Sequence, residues 1–341
     1  MNYYIKQSPI TGLAGFGGGA SGLNVAGSAI PVWYGDRALK WGGANMSGGY
    51  YDMIEYKNIT NTADAEDFGD LDQGRSLMPG CSDAKTAVLF NGYIKSAANY
   101  SSDIHKLTIS TLGDAVDFGN LTQGIHGNSA CSNGTLGFSV GGYGPKSSPV
   151  NITQIEVVTI ATDGNATDAG DITSGGSATN TSVNDDTRAV RCGGFSTGSG
   201  DPKQDTMDYF TMANSGITST DFGDLSYPCN SNAGCSNDTR GVIALGLITD
   251  SGSGVYTNII DYITIQTTSD ATDFGDLTQA RNDLASCSNN VRGIFMAGYF
   301  WPGNYTYDII DKVEIDTTAN ATDIGELTLD VWASKSTSGD A

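Results

Sequence analysis

One phrase recurs six times along this chain of 341 residues, and its spacing constrains the fold more than any other feature. The fifth copy reads ATDFGDLTQAR, and the copies occupy residues 65–75, 115–125, 166–176, 219–229, 271–281 and 321–331. Intervals of 50 to 53 residues separate the aspartates that precede its Phe-Gly pair or the substitute: Asp67, Asp117, Asp168, Asp221, Asp273 and Asp323. This period is typical of propellers with long blades and exceeds that of ankyrin or leucine-rich repeats.

Each unit contains four strand-like runs. In the copy from 277 to 327 these are RNDLASCSN, VRGIFMAGY, DIIDKVEIDTT and NATDIGEL, separated by turn residues. This is the content of one four-stranded antiparallel blade. The third run carries apolar residues on both faces, which favours a sheet that is covered on both sides by its neighbours.

The repeated phrase predicts a short outer strand whose aromatic ring packs between blades. Four copies supply this ring, and two replace it with Ala169 or Ile324: the four are Phe68, Phe118, Phe222 and Phe274. The repeat region begins with a second run at 34–43 and ends with a first run at 331–341. We therefore predict that Val331–Thr337 pairs beside Arg37–Gly43 and closes six blades into a ring, which removes exposed sheet edges.

The cysteines and histidines predict packing, not chemistry. Four cysteines each stand ten residues after the leucine of the phrase: Cys81, Cys131, Cys235 and Cys287. Equivalent residues of successive units lie too far apart for a disulfide, so we expect small packing residues, and their spacing does not resemble a zinc site. Two histidines, His105 and His126, are too few for a copper centre built from several His and Tyr ligands. We expect no catalytic residue, metal or cofactor.

Charge and hydropathy exclude further classes of partner. A net charge of −21 repels phosphate backbones, so we expect no nucleic-acid partner. No apolar run reaches the roughly 18 residues of a membrane span, so we expect no membrane insertion. The first residues lack the basic start and apolar core of a signal peptide, which favours synthesis in a cytoplasm.

The loops after the second strand of each unit vary most, and we expect them to cluster on one face. They would present an aromatic patch of Tyr93, Tyr100, Tyr143, Tyr256, Phe300, Trp301, Tyr305 and Tyr307. Aromatic rings mixed with Ser, Gly and Asn suit stacking on sugars or protein contact. The alternative is a scatter of exposed aromatic residues that merely cap the blades.

Residues 1–33 form a separate, glycine-rich segment without helical or strand periodicity. We expect an extended arm that orders against another protein, because its apolar residues are costly to leave in water. These residues are Leu13, Phe16, Leu23, Val25 and Ile30. The alternative is a flexible tail.

Two sets of residues carry a resemblance to the kelch repeat. Gly pairs follow the second strand at 42–43, 141–142 and 193–194, and acid-Tyr pairs stand in the third strand at 55–56, 208–209 and 261–262. The Gly pair is broken in the other three copies, and the outer-strand Trp of kelch is replaced by the Phe of DFG. The phrases YGDRALKWGG and ATDFGDLT look closer still to kelch-like virion proteins of marine tailed bacteriophages, particularly those that infect cyanobacteria.

This resemblance covers about residues 34–341 and implies a structural or adsorption component of a virus particle, with no catalytic residues. The expectation is an all-β, six-bladed kelch-like β-propeller closed by its C-terminal strand, with a Gly-rich N-terminal arm. We expect a non-enzymatic virion protein, assembled in the host cytoplasm and homo-oligomeric within the particle. Its arm would bind other virion proteins, and its loops would contact host-surface glycans. The alternatives are a carbohydrate-active enzyme on a propeller scaffold and an intracellular kelch adaptor.

Overall fold

The computed structural model of the protein describes residues 35–94, 99–144, 150–173, 179–196, 203–250, 252–301 and 303–340. The predicted N-terminal arm, with Leu13, Phe16, Leu23, Val25 and Ile30, lies outside the described residues, so its role stays a prediction. In the described part, no helix has the length and apolar character needed to cross a membrane.

The predicted all-β, six-bladed β-propeller is confirmed: the described residues form six blades, each with a four-stranded antiparallel core. From the inner to the outer strand, the first three blades are Lys335–Gly339, Arg37–Trp41, Met53–Asn58, Glu66–Asp70; Gly80–Ser82, Thr86–Phe90, Asp103–Thr108, Val116–Asn120; and Ser129–Ser132, Leu136–Val140, Gln154–Thr159, Thr167–Asp171. The last three are Thr181–Asn184, Arg188–Phe195, Lys203–Thr211, Thr220–Asn230; Ala233–Ser236, Arg240–Ala244, Ile259–Thr264, Thr272–Asp276; and Ala285–Ser288, Arg292–Met296, Tyr305–Glu314, Thr322–Val331.

Short additional strands lie in the connections. They are Tyr93–Ile94 with Asn99–Tyr100, Tyr143–Gly144 with Val150–Asn151, Leu247–Asp250 with Ser253–Tyr256, Tyr299–Phe300, and Ile217–Thr218, which pairs in parallel with the third blade's outer strand. Because the strands of a blade alternate in direction, the second-to-third connections and the outer-to-inner connections lie at the same end of the ring axis. We call this end the loop face, and the other end the opposite face.

Ring closure occurs in the first blade as predicted. Lys335–Gly339 pairs antiparallel with Arg37–Trp41, with Leu39 opposite Thr337. The closing strand begins at Lys335 and not at Val331, because the sixth blade's outer strand continues to Val331. The predicted pairing is confirmed, and its predicted start was four residues too early.

Six clusters of buried apolar side chains make the core, and each joins two neighbouring blades. Phe68, for example, lies with Trp41 of its own blade and Leu107 of the next, and is 3% exposed. The four phrase phenylalanines all pack between blades, as predicted. Where Ala169 replaces the ring, Phe138 and Phe210 in the same cluster meet edge to face at 6.1 Å and fill the volume.

The repeated phrase also links the blades at the outer rim, through a hydrogen-bond pair that we call the rim clasp. The N–H of the phrase's first residue donates to the backbone carbonyl of the preceding blade's outer strand at all six interfaces, over 2.7–3.1 Å. At the second interface, for instance, Ala166 donates to Asn120 O at 2.8 Å, and the N–H of Asn120 donates to Asn165 Oδ1 at 3.0 Å. The phrase is therefore an inter-blade link as well as a strand.

A second set of links surrounds the axis, where the inner strands expose an unpaired edge. One side chain of each inner strand donates to the backbone carbonyl of the equivalent residue in the preceding blade, over 2.5–2.8 Å. The six donors are Ser82, Ser132, Asn184, Ser236, Ser288 and Ser338. We call this closed circle the axial ring. It satisfies edge carbonyls that water would otherwise have to reach.

The loop-face mouth of the axis carries a third circle. One residue of each blade adopts a left-handed conformation there, with φ of 52–67°. These residues are Leu77, Gly127, Thr179, Ser231, Asp283 and Ala333. Five of them donate their backbone N–H to the equivalent carbonyl of the preceding blade. We call this circle the mouth ring, and it fixes the residues that follow it on each inner strand.

The six cysteines are buried and unpaired, as packing residues should be. Burial raises the pKa of Cys81 and of Cys287 to about 12, so these thiols stay protonated. A Cβ added to Gly137 would lie 2.8 Å from Cys81 Sγ. The cysteine thus packs against a glycine of the next blade, which explains the close approach of the two sheets.

The acid-Tyr pair of the kelch resemblance has a structural role as well. Asp261 accepts hydrogen bonds from the backbone N–H of Ser226 at 2.9 Å and from its hydroxyl at 3.0 Å. Glu55 accepts the equivalent pair from Thr328. The tyrosine packs beneath an arginine, as Tyr209 does with the Arg188 guanidinium 4.2 Å from its ring centre. These residues therefore hold neighbouring blades together.

Candidate functional site

Loop-face side chains are positioned by tight turns after each second strand. Gly42 and Gly43 have φ of 58° and 109°, and a Cβ at Gly42 would lie 2.5 Å from Arg75 O. The next residue of each loop then pairs with an outer-to-inner connection, as Tyr93 does with Ser76 and Tyr299 with Asn282. Aromatic residues at these positions consequently rest on fixed backbone.

The first aromatic group spans the first three blades. Tyr93 lies 5.8 Å from Tyr50 and 6.0 Å from Tyr100, measured between ring centres. The His126 ring lies among three tyrosines, 4.5 Å from Tyr100 and 5.7 Å from both Tyr93 and Tyr143. All five rings are partly exposed. The structure therefore joins three of the predicted patch residues and adds Tyr50 and His126.

His126 is a neutral packing residue. Burial lowers its pKa to about 4, and its Nδ1 has no hydrogen-bond partner among the described residues. The expectation of a packing or surface histidine fits both features. A neutral imidazole edge against three tyrosine rings continues the aromatic surface instead of adding charge to it.

The second aromatic group lies across the fifth and sixth blades. Tyr256 packs edge to face against Tyr299 at 6.0 Å and Phe300 at 5.6 Å, and Tyr299 lies 5.9 Å from Trp332. Trp301 and Tyr305 follow in the same loop and are 55% and 61% exposed. Tyr307 lies within the sixth blade's third strand, where it pairs with Val331 of the outer strand. The predicted single patch is thus two groups plus exposed neighbours.

The mouth of the axial channel borders the second group. Asp283, a member of the mouth ring, is 8% exposed, and burial raises its pKa. Lys335, at the start of the closing strand, has its pKa lowered by burial and partly restored by the charge of Asp283. The Asp283 charge also raises the pKa of Tyr256, after burial and Tyr299. These shifts link the aromatic group to the only lysine that lines the described channel mouth.

Beside Lys335 lies a cavity of about 60 Å³, lined by polar side chains. They include Asn128, Ser129, Asn180, Thr181, Ser182 and Ser336. No carboxylate lines the described part of this cavity, so it lacks the pair of acids that glycoside hydrolysis uses. Burial of its one cation and its hydroxyl-rich wall suit binding of a polar group.

The remaining titratable groups do not form a metal centre. Within the described ranges, no group of three or more His, Cys, Asp and Glu side chains is placed to hold a metal ion. His105 is 6% exposed and its Nε2 lies 3.3 Å from Asp72 Oδ1. Burial and the neighbouring Arg75 lower its pKa, so it is a packing histidine too.

Sequence reasoning missed five residues of this region: Tyr50, Tyr299, Trp332, Asp283 and Lys335. Tyr299 occupies the same position in its loop as Tyr93 and Tyr143, so alignment of the copies would have found it. Lys335 and Asp283 replace small or neutral residues of other copies. Their meeting at the mouth required the register of ring closure.

The fold and this surface define a class: a six-bladed β-propeller with aromatic groups and a polar channel mouth on one face. No protein-family model matches the chain, and no curated protein is similar in sequence. The solved structure of YjhT is similar, with a TM-score of 0.64 and 15% sequence identity. The match covers 86% of this chain and 98% of that chain. At this identity the likeness shows the propeller fold alone.

Proposed function

We propose that this chain is a non-enzymatic structural protein of a bacteriophage particle, displayed as a propeller whose loop face binds host-surface glycans. The phrase-level resemblance to kelch-like virion proteins of marine phages suggests the particle. The loop-face aromatic groups suggest the ligand, and they are the single observation that carries the binding role.

The aromatic residues support this role because the scaffold does not require them. Equivalent positions elsewhere in the ring carry Ala44 and Leu247 without loss of the pairing that Tyr93 and Tyr299 make. Exposed Trp301 and Tyr305 add rings beside the second group. Sugar faces stack on such rings, and polar loop residues supply hydrogen bonds.

Binding of purified host-surface polysaccharide by the full chain tests the glycan role. We expect the double variant Trp301→Ala/Tyr305→Ala to bind at least about tenfold more weakly, which corresponds to about 1.4 kcal/mol. Its stability should not change, because both side chains are exposed. The matched control is Val291→Ala, an exposed apolar residue on the opposite face (59% exposed), which should bind as the unaltered protein does. Equal binding by all three proteins would contradict the role.

The particle role rests on the N-terminal arm. Deletion of residues 1–33 should abolish incorporation into phage particles while leaving a folded propeller, as measured by circular dichroism of the truncated chain. Normal incorporation of the truncated protein would contradict the arm's role. Failure of this test would leave the glycan test unaffected, since the two use different regions.

A carbohydrate-active enzyme on the same scaffold is the second candidate. Perturbed pKa values of Asp283 and Lys335 at the channel mouth favour it, because catalytic sites collect such groups. Incubation with host polysaccharide separates the two functions. Steady release of smaller products, lost in Asp283→Asn, would support the enzyme, whereas saturable binding without product supports the structural protein.

A further inference from the structure

Lys335 occupies a position that no other blade fills with a charge. The equivalent residues, two places after each member of the mouth ring, are Pro79, Ser129, Thr181, Ala233 and Ala285. Closure of the ring does not need a lysine there, because Lys335 pairs with Trp41 through the backbone. The charge therefore calls for an explanation outside the scaffold.

The Lys335 ammonium lacks a direct partner. It makes neither a hydrogen bond nor an ion pair with the described residues. Asp283 acts on it through charge, and that effect is smaller than the burial that lowers its pKa. A half-buried cation without a close acceptor has lost part of its hydration, so an anionic group would find a prepared counter-charge here.

A second feature concerns the residue that follows Lys335 on the closing strand. Ser336 is 8% exposed, and its Oγ has no hydrogen-bond partner in the described part of the chain. The Cys287 thiol lies close to it, and the Ser336 hydroxyl lowers the pKa of that thiol against the larger effect of burial. Ser336 lines the cavity together with Lys335, Asn128 and Thr181. Because Lys335 and Ser336 are consecutive residues of one strand, their side chains leave it on opposite sides, so the ammonium is the donor that a ligand in the cavity would meet.

The cavity volume limits what enters. About 60 Å³ holds a terminal group, whereas whole small-molecule ligands occupy pockets of about 300–1,000 Å³. The rest of a larger ligand would lie outward, beside Tyr256 of the second aromatic group. A carboxylate matches the size of the cavity and the charge of Lys335.

We propose that the channel mouth is a carboxylate-binding site in which Lys335 holds the anionic group. The carboxylate comes from a free small acid or from the uronic-acid end of a saccharide. The inference goes beyond the proposed function and does not depend on it, because acetate alone tests the site.

The test is titration of the full chain with acetate, D-glucuronate and neutral D-glucose. Binding is measured by calorimetry and by the NMR signals of labelled lysine ammonium groups. We expect both carboxylates to bind with dissociation constants of about 1 mM or tighter and to shift the Lys335 signal, and D-glucose to leave that signal in place. Comparable affinities would identify a free small acid as the source. Affinity at least about tenfold higher for D-glucuronate would identify the saccharide end.

Two variants complete the test. Lys335→Met should lose at least about tenfold in carboxylate affinity and keep or exceed the original melting temperature, because the buried charge disappears. Lys85→Met, at an exposed position on the opposite face, should bind normally. If Lys335→Met does not fold, the lysine titration of the unaltered chain decides, since a bound carboxylate must raise the Lys335 pKa. An unmoved Lys335 signal with both acids, or undiminished binding by folded Lys335→Met, would overturn the proposal.

Discussion

The rim clasp and the loop-face mouth are built by equivalent residues of the same six copies, yet they vary in opposite ways. At the rim, the donated N–H bond is present at all six interfaces. At the mouth, one inner-strand position carries Pro79, Ser129, Thr181, Ala233, Ala285 and Lys335. The rim is constrained because each contact holds two blades together, whereas this mouth position carries five residue types in six blades.

Departures inside the scaffold are compensated by a neighbour. His105 occupies a third-strand position that is an acid in the other blades. Its partner Asp72 occupies the position that is Thr or Ser in the other blades, so the acid of this pair has moved to the preceding blade. Ala169 loses a ring, and Phe138 fills its place. Lys335 has no hydrogen-bonded or ion-paired partner among the described residues, and the charge of Asp283 acts on it less strongly than burial does. A residue that differs from its equivalents in the other blades and has no compensating neighbour is therefore one that the ring does not need for its own stability.

The largest effect should follow loss of the closing strand. Deletion of Lys335–Ala341 removes the first blade's inner strand and one donor of the axial ring, Ser338. We expect no cooperative unfolding transition by circular dichroism, because the first blade would expose a bare edge and the ring would open. Removal of Ala341 alone is the control. A truncated chain that keeps the original unfolding midpoint would show that closure contributes nothing.

A smaller effect is expected from one glycine of the phrase. Gly119 has φ of 152°, and an added Cβ would overlap the carbonyl oxygen of Gly164 in the next blade. Gly119→Ala should lower the free energy of unfolding by about 3 kcal/mol, measured by urea denaturation. Gly164→Ala is a matched control, because nothing lies within 4 Å of its added Cβ. Equal stability of the two variants would show that the close contact between blades at the rim does not contribute to the stability of the ring.

The smallest of the three effects concerns the loop face and pH. The pKa of His126 is about 4 in the folded protein and about 6.5 in the unfolded chain. Between these values the unfolded state binds a proton that the folded state excludes, so stability is complete above pH 6.5 and falls as the pH is lowered. The loss should reach about 2 kcal/mol near pH 4.5.

His126→Asn should remove that part of the acid sensitivity, because Asn282 occupies the equivalent position in the sixth blade without a titrating group. Urea denaturation at several pH values measures it. If the free energy of unfolding of His126→Asn fell with pH between 6.5 and 4.5 as steeply as that of the unaltered protein, burial would not lower the pKa of His126.

The six-bladed ring, its closure and the phenylalanine packing could be predicted from the sequence, because each is repeated and leaves a periodic signal. Phe68 and its equivalents were identified in this way. The axial ring was not, since Ser82 and Ser132 look like ordinary polar residues until the inner strands meet around one axis. The carboxylate site was missed for a related reason: Asp283 and Lys335 lie 52 positions apart in the chain and meet only through closure.

Hydrogen exchange of the full chain with and without host-surface polysaccharide tests most directly whether the departures on the loop face carry the function. We predict slowed exchange in loop-face segments 247–256 and 297–308 and around Lys335, with no change in the opposite-face loops 109–115 and 265–271. Protection confined to the opposite face, or no protection anywhere, would contradict this prediction.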